Sequence, residues 1–161
     1  MAMTSITIAP ATPADVPSIR ALIAELAEYE KLSDRMTAKA DALRDGLFGT
    51  RPYAEALIGR LGGETVGYAL FFHTYSTFMA RPGIYLEDVY VTPAARGKGV
   101  GKALLREVAR VARGRDCGRI EWSVLNWNKP SIDFYVSLGA DPMDEWTMYR
   151  LDVAGIAALA R

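Results

Sequence analysis

A strand that runs through a short glycine-rich turn into a helix is the feature that most constrains this chain. The segment spans 89–102 and reads V-Y-V-T-P-A-A-R-G-K-G-V-G-K, with its three glycines at alternate positions. β-branched and aromatic residues before Pro93 predict the strand, and apolar residues at helical spacing after the turn predict an amphipathic helix. A helix N-terminus presents free backbone N–H groups and a partial positive charge, and glycine lets a phosphate approach them closely. The turn is therefore predicted to cradle a phosphate-bearing cofactor.

Positive charge gathers around this turn. Between Ala94 and Arg119 there are eight Lys or Arg and two Asp or Glu, a net charge of +6 in a chain whose total is zero. A solvated basic helix face is the alternative explanation. The glycine spacing fits neither the Walker sequence, which ends in Gly-Lys-Ser/Thr, nor the dinucleotide-binding fingerprint. An anionic cofactor at the turn would account for both the charge and the glycines.

The rest of the sequence predicts one domain, 1–161, of the α/β class. Thr12 to Asp15 is typical of a helix start. Helices are predicted over 12–29, 38–47, 102–113, 130–138 and 154–160, and strands over 5–9, 55–61, 65–73, 84–92, 119–125 and 146–152. Antiparallel hairpins come first and a β-α-β unit follows, which predicts a mixed sheet with helices on its faces.

Composition argues against several classes of protein. Half of the 161 residues are hydrophobic, and the net charge of zero argues against a dedicated nucleic-acid binder. One cysteine, Cys117, and one histidine, His73, argue against a disulfide and the usual metal sites. The first ten residues do not resemble a signal peptide, and no apolar run is long enough to span a membrane. We expect a soluble, cytoplasmic protein with no metal.

Several motifs in the same order resemble the GNAT superfamily of acyl-CoA-dependent N-acyltransferases. Residues 96–101, R-G-K-G-V-G, fit the family motif Arg/Gln-x-x-Gly-x-Gly/Ala, and 126–135, N-W-N-K-P-S-I-D-F-Y, look like its second cofactor segment. L-A-E-Y-E at 26–30 and Y-L-E-D at 85–88 are similar to the diamine (spermidine/spermine) and thialysine N-acetyltransferase branch. The resemblance implies the GNAT fold, with a mostly antiparallel central sheet flanked by helices. It also implies acetyl-CoA as co-substrate, a small cationic amine as acceptor (a diamine, polyamine or lysine-like amino acid) and a homodimer.

The resemblance also assigns cofactor contacts. In the family the backbone of the glycine-rich turn binds the pyrophosphate, the strand before it pairs with the pantetheine arm, and an Asn in the later segment contacts the pantetheine. Carried over by position, the cofactor-binding residues are Val89, Val91, Arg96, Gly97, Lys98, Gly99, Gly101, Lys102, Asn128 and Ser131.

Acetyl transfer by direct attack needs a neutral amine and a proton for the departing thiolate. A free alkyl amine has a pKa near 10.4 and is mostly protonated at neutral pH, so a base must help. Glu87 is the candidate base, acting through a water; a structural salt bridge or a solvent-facing position is the alternative. Strand alternation places Glu87 on one face with Val89 and Val91, and Asp88 on the other unless a bulge re-aims it. Tyr135 is the candidate acid, with a core aromatic role as the alternative.

Acidic residues cluster at the end of the first predicted helix. Glu28, together with Asp88, is a candidate for binding a cationic substrate, and a solvated helix end is the alternative explanation. Three other functions remain open: a protein lysine or N-terminal acetyltransferase, a non-catalytic acyl-CoA-binding module and a nucleotide-binding regulatory domain. Retention of Glu87 and Tyr135 argues against a non-catalytic acyl-CoA-binding module. The absence of metal-holding residues in the turn argues against a nucleotide-binding domain.

Overall fold

A computed structural model describes residues 5–161 of the chain. Its strands are β1 (Ile6–Pro10), β2 (Glu55–Leu61), β3 (Glu64–Ser76), β4 (Arg81–Val91) and β5 (Ile120–Glu121). Its α-helices are α1 (Val16–Tyr29), α2 (Ala40–Phe48), α3 (Val100–Gly114), α4 (Lys129–Ser137) and α5 (Val153–Leu159). The described residues divide into two compact units, an N-terminal unit that ends at Ser123 and a C-terminal unit, Val124–Arg161.

One five-stranded sheet, in the order β1-β2-β3-β4-β5, organises the N-terminal unit. The first four strands are antiparallel and β5 pairs with β4 in parallel. The β2–β3 connection uses Gly62 and Gly63, whose φ angles of +60° and +90° suit a tight hairpin that other residues would strain. The predicted α/β class, with a mixed and mostly antiparallel sheet, is confirmed.

Each face of the sheet carries its own apolar cluster, because successive strand residues point to opposite faces. The α3 cluster consists of Leu57, Ala69, Phe71, Ile84, Leu86, Val100, Leu104, Val108 and Ala112. The α1 cluster consists of Ile19, Leu22, Leu47, Ala56, Ile58, Tyr68, Leu70 and Tyr90. The long helices therefore lie on the two faces of the sheet, as the periodicity of their apolar residues predicts.

The predicted start of the first helix is confirmed in detail. The Asp15 carboxylate accepts hydrogen bonds from the Thr12 backbone N–H at 2.8 Å and from its hydroxyl at 3.1 Å. The same carboxylate pairs with Arg60 on β2 at 2.8 Å. The cap thus also ties the start of α1 to the sheet.

Two predicted strands need correction. The strand expected over 119–125 is limited to Ile120–Glu121, and the one expected over 146–152 does not form. Every residue of 146–152 is exposed. A sequence pattern reports only the alternation of side chains, whereas a strand also needs a neighbour for its backbone N–H and C=O groups. Within residues 5–161, the segment 146–152 pairs with no strand of the sheet.

Candidate active site

A β-bulge in β4 determines where the paired carboxylates lie. Asp88 stands opposite Leu70 and Leu86 opposite Phe71, so Glu87 is the extra residue between them. One extra residue reverses the alternation of the strand beyond it. The bulge therefore takes Glu87 out of the regular alternation, whereas Asp88 lies on the face opposite Val89 and Val91, as predicted.

Glu87 does not share a face with Val89 and Val91 in the way that plain alternation predicts. Both valines pack against the α3 cluster, on the same face as Ile84 and Leu86 before the bulge. Glu87 itself is exposed. The expectation of a carboxylate among apolar neighbours is wrong for Glu87, because the bulge breaks the two-residue period on which it depends.

Asp88 is the carboxylate that enters the fold, on the side of the α1 cluster. Its Oδ2 accepts a hydrogen bond of 2.9 Å from the hydroxyl of Tyr68, a residue of that cluster. The pKa of Asp88 is raised to about 6: burial raises it most, the hydrogen bond from Tyr68 lowers it, and the charges of Glu87 and Glu30 raise it. A carboxyl with this pKa changes its charge just below neutral pH.

Three carboxylates together form what we call the acidic site: Glu30, Glu87 and Asp88. Glu30 follows the end of α1, and its partial burial raises its pKa. Burial, Asp88 and the acidic neighbours raise the pKa of the Tyr68 phenol, which keeps it protonated and able to donate. Glu28, the predicted substrate-binding residue of α1, is exposed, whereas Glu30 is the residue of this helix end whose charge affects Asp88.

Tyr68 was not identified from the sequence, and among the acidic residues at the end of the first helix Glu28 and not Glu30 was selected as the candidate for substrate binding. Glu28 and Glu30 both belong to the acidic residues at the end of the first predicted helix. Only the structure shows that Glu30, and not Glu28, acts on Asp88. Tyr68 stands in an apolar strand sequence, V-G-Y-A-L-F-F over 66–72. A phenol in the middle of a buried strand needs a hydrogen-bond partner. The sequence could therefore have indicated that Tyr68 contacts a polar group inside the fold.

Arg96 connects the glycine-rich turn to α1 and β4. Its guanidinium carbon lies 5.0 Å from the ring centroid of Tyr29 and 5.4 Å from that of Tyr90, and its Nε donates to the backbone carbonyl of Val91 at 2.9 Å. The Tyr90 hydroxyl donates in turn to Glu25 at 3.2 Å. Cation–π contacts and this hydrogen bond thus hold the side chain of a predicted cofactor-binding residue over two aromatic rings.

The turn itself has the conformation that its glycines permit. Gly97 and Gly99 have φ angles of +73° and +91°, a region that side chains with a Cβ enter only at a cost. Gly99 is the N-cap of α3, so the unpaired N–H groups of the first helical turn begin directly after it. Gly97, Lys98, Gly99, Gly101 and Lys102 are adjacent in this turn and the helix start, and their backbone amides and two ammonium groups suit a pyrophosphate.

Basic residues continue along α3. A groove of about 490 Å³ between this helix and β1 is lined by Lys102, Arg106 and Arg110, with Glu107 beside them. Glu107 accepts a hydrogen bond from Arg110 at 2.9 Å, which neutralises part of that surface. The positive charge predicted from the sequence is therefore spread along the helix and is not confined to the turn.

The C-terminal unit contains the other predicted residues. The side chain of Asn128 is buried, and its Oδ1 accepts a hydrogen bond from the backbone N–H of Ser131 at 3.4 Å as the N-cap of α4. Tyr135 is half-buried on the same helix, with its ring centroid 5.7 Å from that of Phe134. One short helix thus positions Asn128, Ser131 and Tyr135.

Among the described residues, no three His, Cys, Asp or Glu side chains come together in a group that could hold a metal ion. No helix over residues 5–161 is both long and apolar enough to cross a membrane.

Comparisons with known proteins support the resemblance seen in the sequence. Residues 17–140 match the model of the acetyltransferase (GNAT) family. The chain is 38% identical to a thialysine N-epsilon-acetyltransferase of Sus scrofa, covering 98% of this chain and 99% of that protein. It is 30% identical to an L-ornithine N5-acetyltransferase of Arabidopsis thaliana, covering 92% and 85%.

A solved structure shares the fold over almost the whole length. An integron cassette protein from the mobile metagenome of V. cholerae superposes with a TM-score of 0.82 at 24% identity, covering 98% of each chain. Such a likeness concerns the fold alone. The family match over most of the chain goes further: this protein belongs to the GNAT family of acetyltransferases and is an enzyme that transfers an acetyl group to an amine.

Proposed function

We propose that the acceptor is a small cationic amine, a lysine-like amino acid, diamine or polyamine, and that acetyl-CoA is the co-substrate. The observation that carries the proposal is the acidic site, where Asp88 meets Glu30 and Glu87. A cluster of carboxylates favours a ligand with an ammonium group by steering and by pairing with it. The relatives named for thialysine and L-ornithine acetylation agree with this class of acceptor.

In this proposal the cofactor is held by backbone groups. The turn at 97–101 binds the pyrophosphate through its N–H groups, Arg96, Lys98 and Lys102 contribute charge, and Val89 and Val91 pair with the pantetheine arm. Asn128 and Ser131 contact the cofactor from the start of α4. The positive φ angles of two glycines in the turn, and the helix N-terminus that follows it, support the pyrophosphate contact.

The proposed chemistry is direct transfer. A second ammonium group of the acceptor pairs with Asp88 and Glu30, and Glu28 adds negative charge at the same helix end. Glu87 removes a proton from the reacting ammonium group through a water, and the neutral amine attacks the thioester carbon. The C–S bond then breaks, and the departing thiolate takes a proton from the phenol of Tyr135. The attacking nitrogen loses its second proton, which restores the phenol through solvent and leaves the neutral amide. Exposure of Glu87 on the bulge supports a water-mediated role, since solvent reaches its carboxylate.

A pair of amines that differ by one charge tests the proposal. Thiol release from acetyl-CoA would be measured with 1,5-diaminopentane and with 1-aminopentane, beside lysine, thialysine, ornithine and spermidine. We expect kcat/KM to be at least about tenfold higher for the diamine, because it alone has a second ammonium group for the acidic site. Equal values would contradict a cation-selective site. Activity with peptides only would instead indicate a protein acetyltransferase.

The proposal extends to the form of the protein: one N-acetyltransferase domain, working in the cytoplasm as a homodimer, without nucleic acid or membrane partners. The family match over 17–140 supports a single domain, because it crosses the boundary between the two units. Large exposed apolar side chains in the C-terminal unit support self-association. Light scattering at micromolar concentration tests the dimer, and a monomeric mass would refute it.

A further inference from the structure

The phenol of Tyr68 is a polar group within an otherwise apolar cluster. Tyr68 is 0% exposed and stands directly opposite Tyr90 in the β3–β4 ladder. A buried hydroxyl must find a hydrogen-bond partner, and this one donates to Asp88 Oδ2 at 2.9 Å. The ladder is regular from the Tyr68–Tyr90 pair to the Leu70–Asp88 pair, so alternation places Asp88 on the face of Tyr68.

We propose that Tyr68 is a positioning residue for acceptor binding: its hydroxyl holds one oxygen of Asp88 and keeps the carboxylate as an anion for the acceptor ammonium. The inference rests on the proposed function and adds to it the residue that prepares the site. A hydrogen bond from a rigid, buried donor fixes the orientation of the carboxylate as well as its charge. The bond uses Oδ2 and leaves Oδ1 for the ligand.

Four influences act on the ionisation of Asp88, and Tyr68 opposes the other three. Burial, Glu87 on the same strand and Glu30 from the end of α1 all favour the neutral acid, whereas the Tyr68 hydrogen bond favours the carboxylate. With a pKa of about 6, roughly nine-tenths of the Asp88 side chains are ionised at pH 7. Loss of the bond would leave the three unfavourable influences unopposed, and the site would lose its charge near neutral pH.

Tyr68→Phe isolates the bond, because it removes one oxygen and keeps the ring. In protein labelled with ¹³C-aspartate, we expect the titration midpoint of the Asp88 carboxyl to rise by roughly one pH unit. Tyr90→Phe is the matched control: it removes the hydroxyl of the cross-strand neighbour, which donates to Glu25, and should leave the Asp88 midpoint in place.

The kinetic readout separates positioning from loss of structure. We expect Tyr68→Phe to raise KM for 1,5-diaminopentane about fivefold at pH 6 and less than twofold at pH 8.5, where Asp88 is ionised in both proteins. The value of kcat should change little. In an Asp88→Asn background, the pH-dependent effect of Tyr68→Phe should disappear, since the group whose charge it controls is gone.

Each outcome decides the inference. An unchanged Asp88 midpoint in Tyr68→Phe would refute the role of Tyr68, whatever amine the enzyme accepts. A shifted midpoint with an unchanged KM would refute the link to the acceptor. If the wild-type enzyme acetylates no cationic amine, the proposed function fails, while the titration still shows whether Tyr68 controls Asp88.

A measurement on the wild-type protein covers the case in which Tyr68→Phe does not fold. The ¹³Cζ resonance of Tyr68 should shift with the same midpoint as the Asp88 carboxyl, because protonation of Asp88 weakens the bond that the phenol donates. A Tyr68 resonance that does not respond between pH 5 and 7 would contradict the proposed coupling.

Discussion

Asp88 carries its charge at a cost to the stability of the fold. Its pKa lies near 6 in the folded protein against an ordinary value of 3.8, mainly because burial disfavours the carboxylate. The folded state therefore binds the proton more tightly than the unfolded state does. The stability that this group contributes is fully present below pH 3.8 and is lost as the pH rises through about 6.

We expect Asp88→Asn to stabilise the protein at the expense of acceptor binding. At pH 8 the gain in free energy of unfolding should reach up to about 3 kcal/mol, the equivalent of the shift from 3.8 to about 6, and it should vanish near pH 3.5. Denaturant unfolding across this pH range measures it. Asp144→Asn, at an exposed position, is the control and should change stability by less than about 0.5 kcal/mol. A variant as stable as the wild type at pH 8 would contradict an ionised, desolvated Asp88.

The proposed acid role of Tyr135 predicts a specific effect of its substitution on turnover. Tyr135→Phe should lower kcat by about 100-fold, the usual size of a lost general acid, because the departing thiolate no longer receives a proton from the phenol. Affinity for acetyl-CoA, measured by calorimetry, should stay nearly constant, since the ring remains. Tyr75→Phe, which removes an exposed phenol at the end of β3, is the matched control. Unchanged turnover in Tyr135→Phe would remove Tyr135 from the mechanism.

At the scale of elements, the junction of the glycine-rich turn with α3 has a backbone conformation on which the proposed binding of acetyl-CoA depends. Gly99 takes φ +91° as the N-cap of the helix, and Val100 directly after it is fully buried. The buried side chain anchors the helix start against the sheet, while the glycine sets the path of the backbone before it. Both are needed to present the first N–H groups of α3 as a rigid set of donors.

Gly99→Ala should therefore weaken acetyl-CoA binding by at least about tenfold, because a Cβ disfavours the conformation that the cradle requires. An ideal control exists in Gly63, which has φ +90° in the β2–β3 hairpin and open space around it. Both alanine variants should lose about 1 kcal/mol of stability through the same backbone strain. Only Gly99→Ala should bind acetyl-CoA more weakly in calorimetry. Equal affinities of the two variants would refute the cradle.

At the scale of the whole molecule, the C-terminal unit presents an unusual amount of apolar surface. Trp146 is 76% exposed and Tyr149 is 91% exposed, and Met143, Met148, Leu151, Val153 and Leu159 are exposed as well. Large apolar side chains exposed in one segment of a chain are typical of a protein–protein contact. A second copy of the chain is the proposed partner, in agreement with the homodimer that the family resemblance implies.

We expect Met148→Asp to convert a dimer into a monomer, because a charge buried without a partner costs several kcal/mol at an interface. Sedimentation velocity at micromolar concentration measures the change. Tyr53→Asp places the same charge at an exposed aromatic residue of the N-terminal unit and should leave the mass unchanged. Two variants with the same mass would argue against this surface as the contact.

The sequence by itself determined the parts of this protein that depend on neighbours along the chain. The glycine-rich turn, the amphipathic α3, the cap of α1 and the hairpin between β2 and β3 all follow from local rules of periodicity, capping and glycine conformation. Family membership followed too, because the motifs that carry it are contiguous. These elements could be predicted from one sequence because each depends on residues that are close together along the chain.

Only the tertiary structure decided which groups meet. A bulge of one residue took Glu87 out of the alternation that placed it among apolar neighbours, and the end of α1 set Glu30 and not Glu28 to act on Asp88. The strand pattern of 146–152 likewise did not become a strand, because pairing depends on a distant backbone. Burial, register and pairing are properties of contacts between distant residues, so alternation and composition do not contain them.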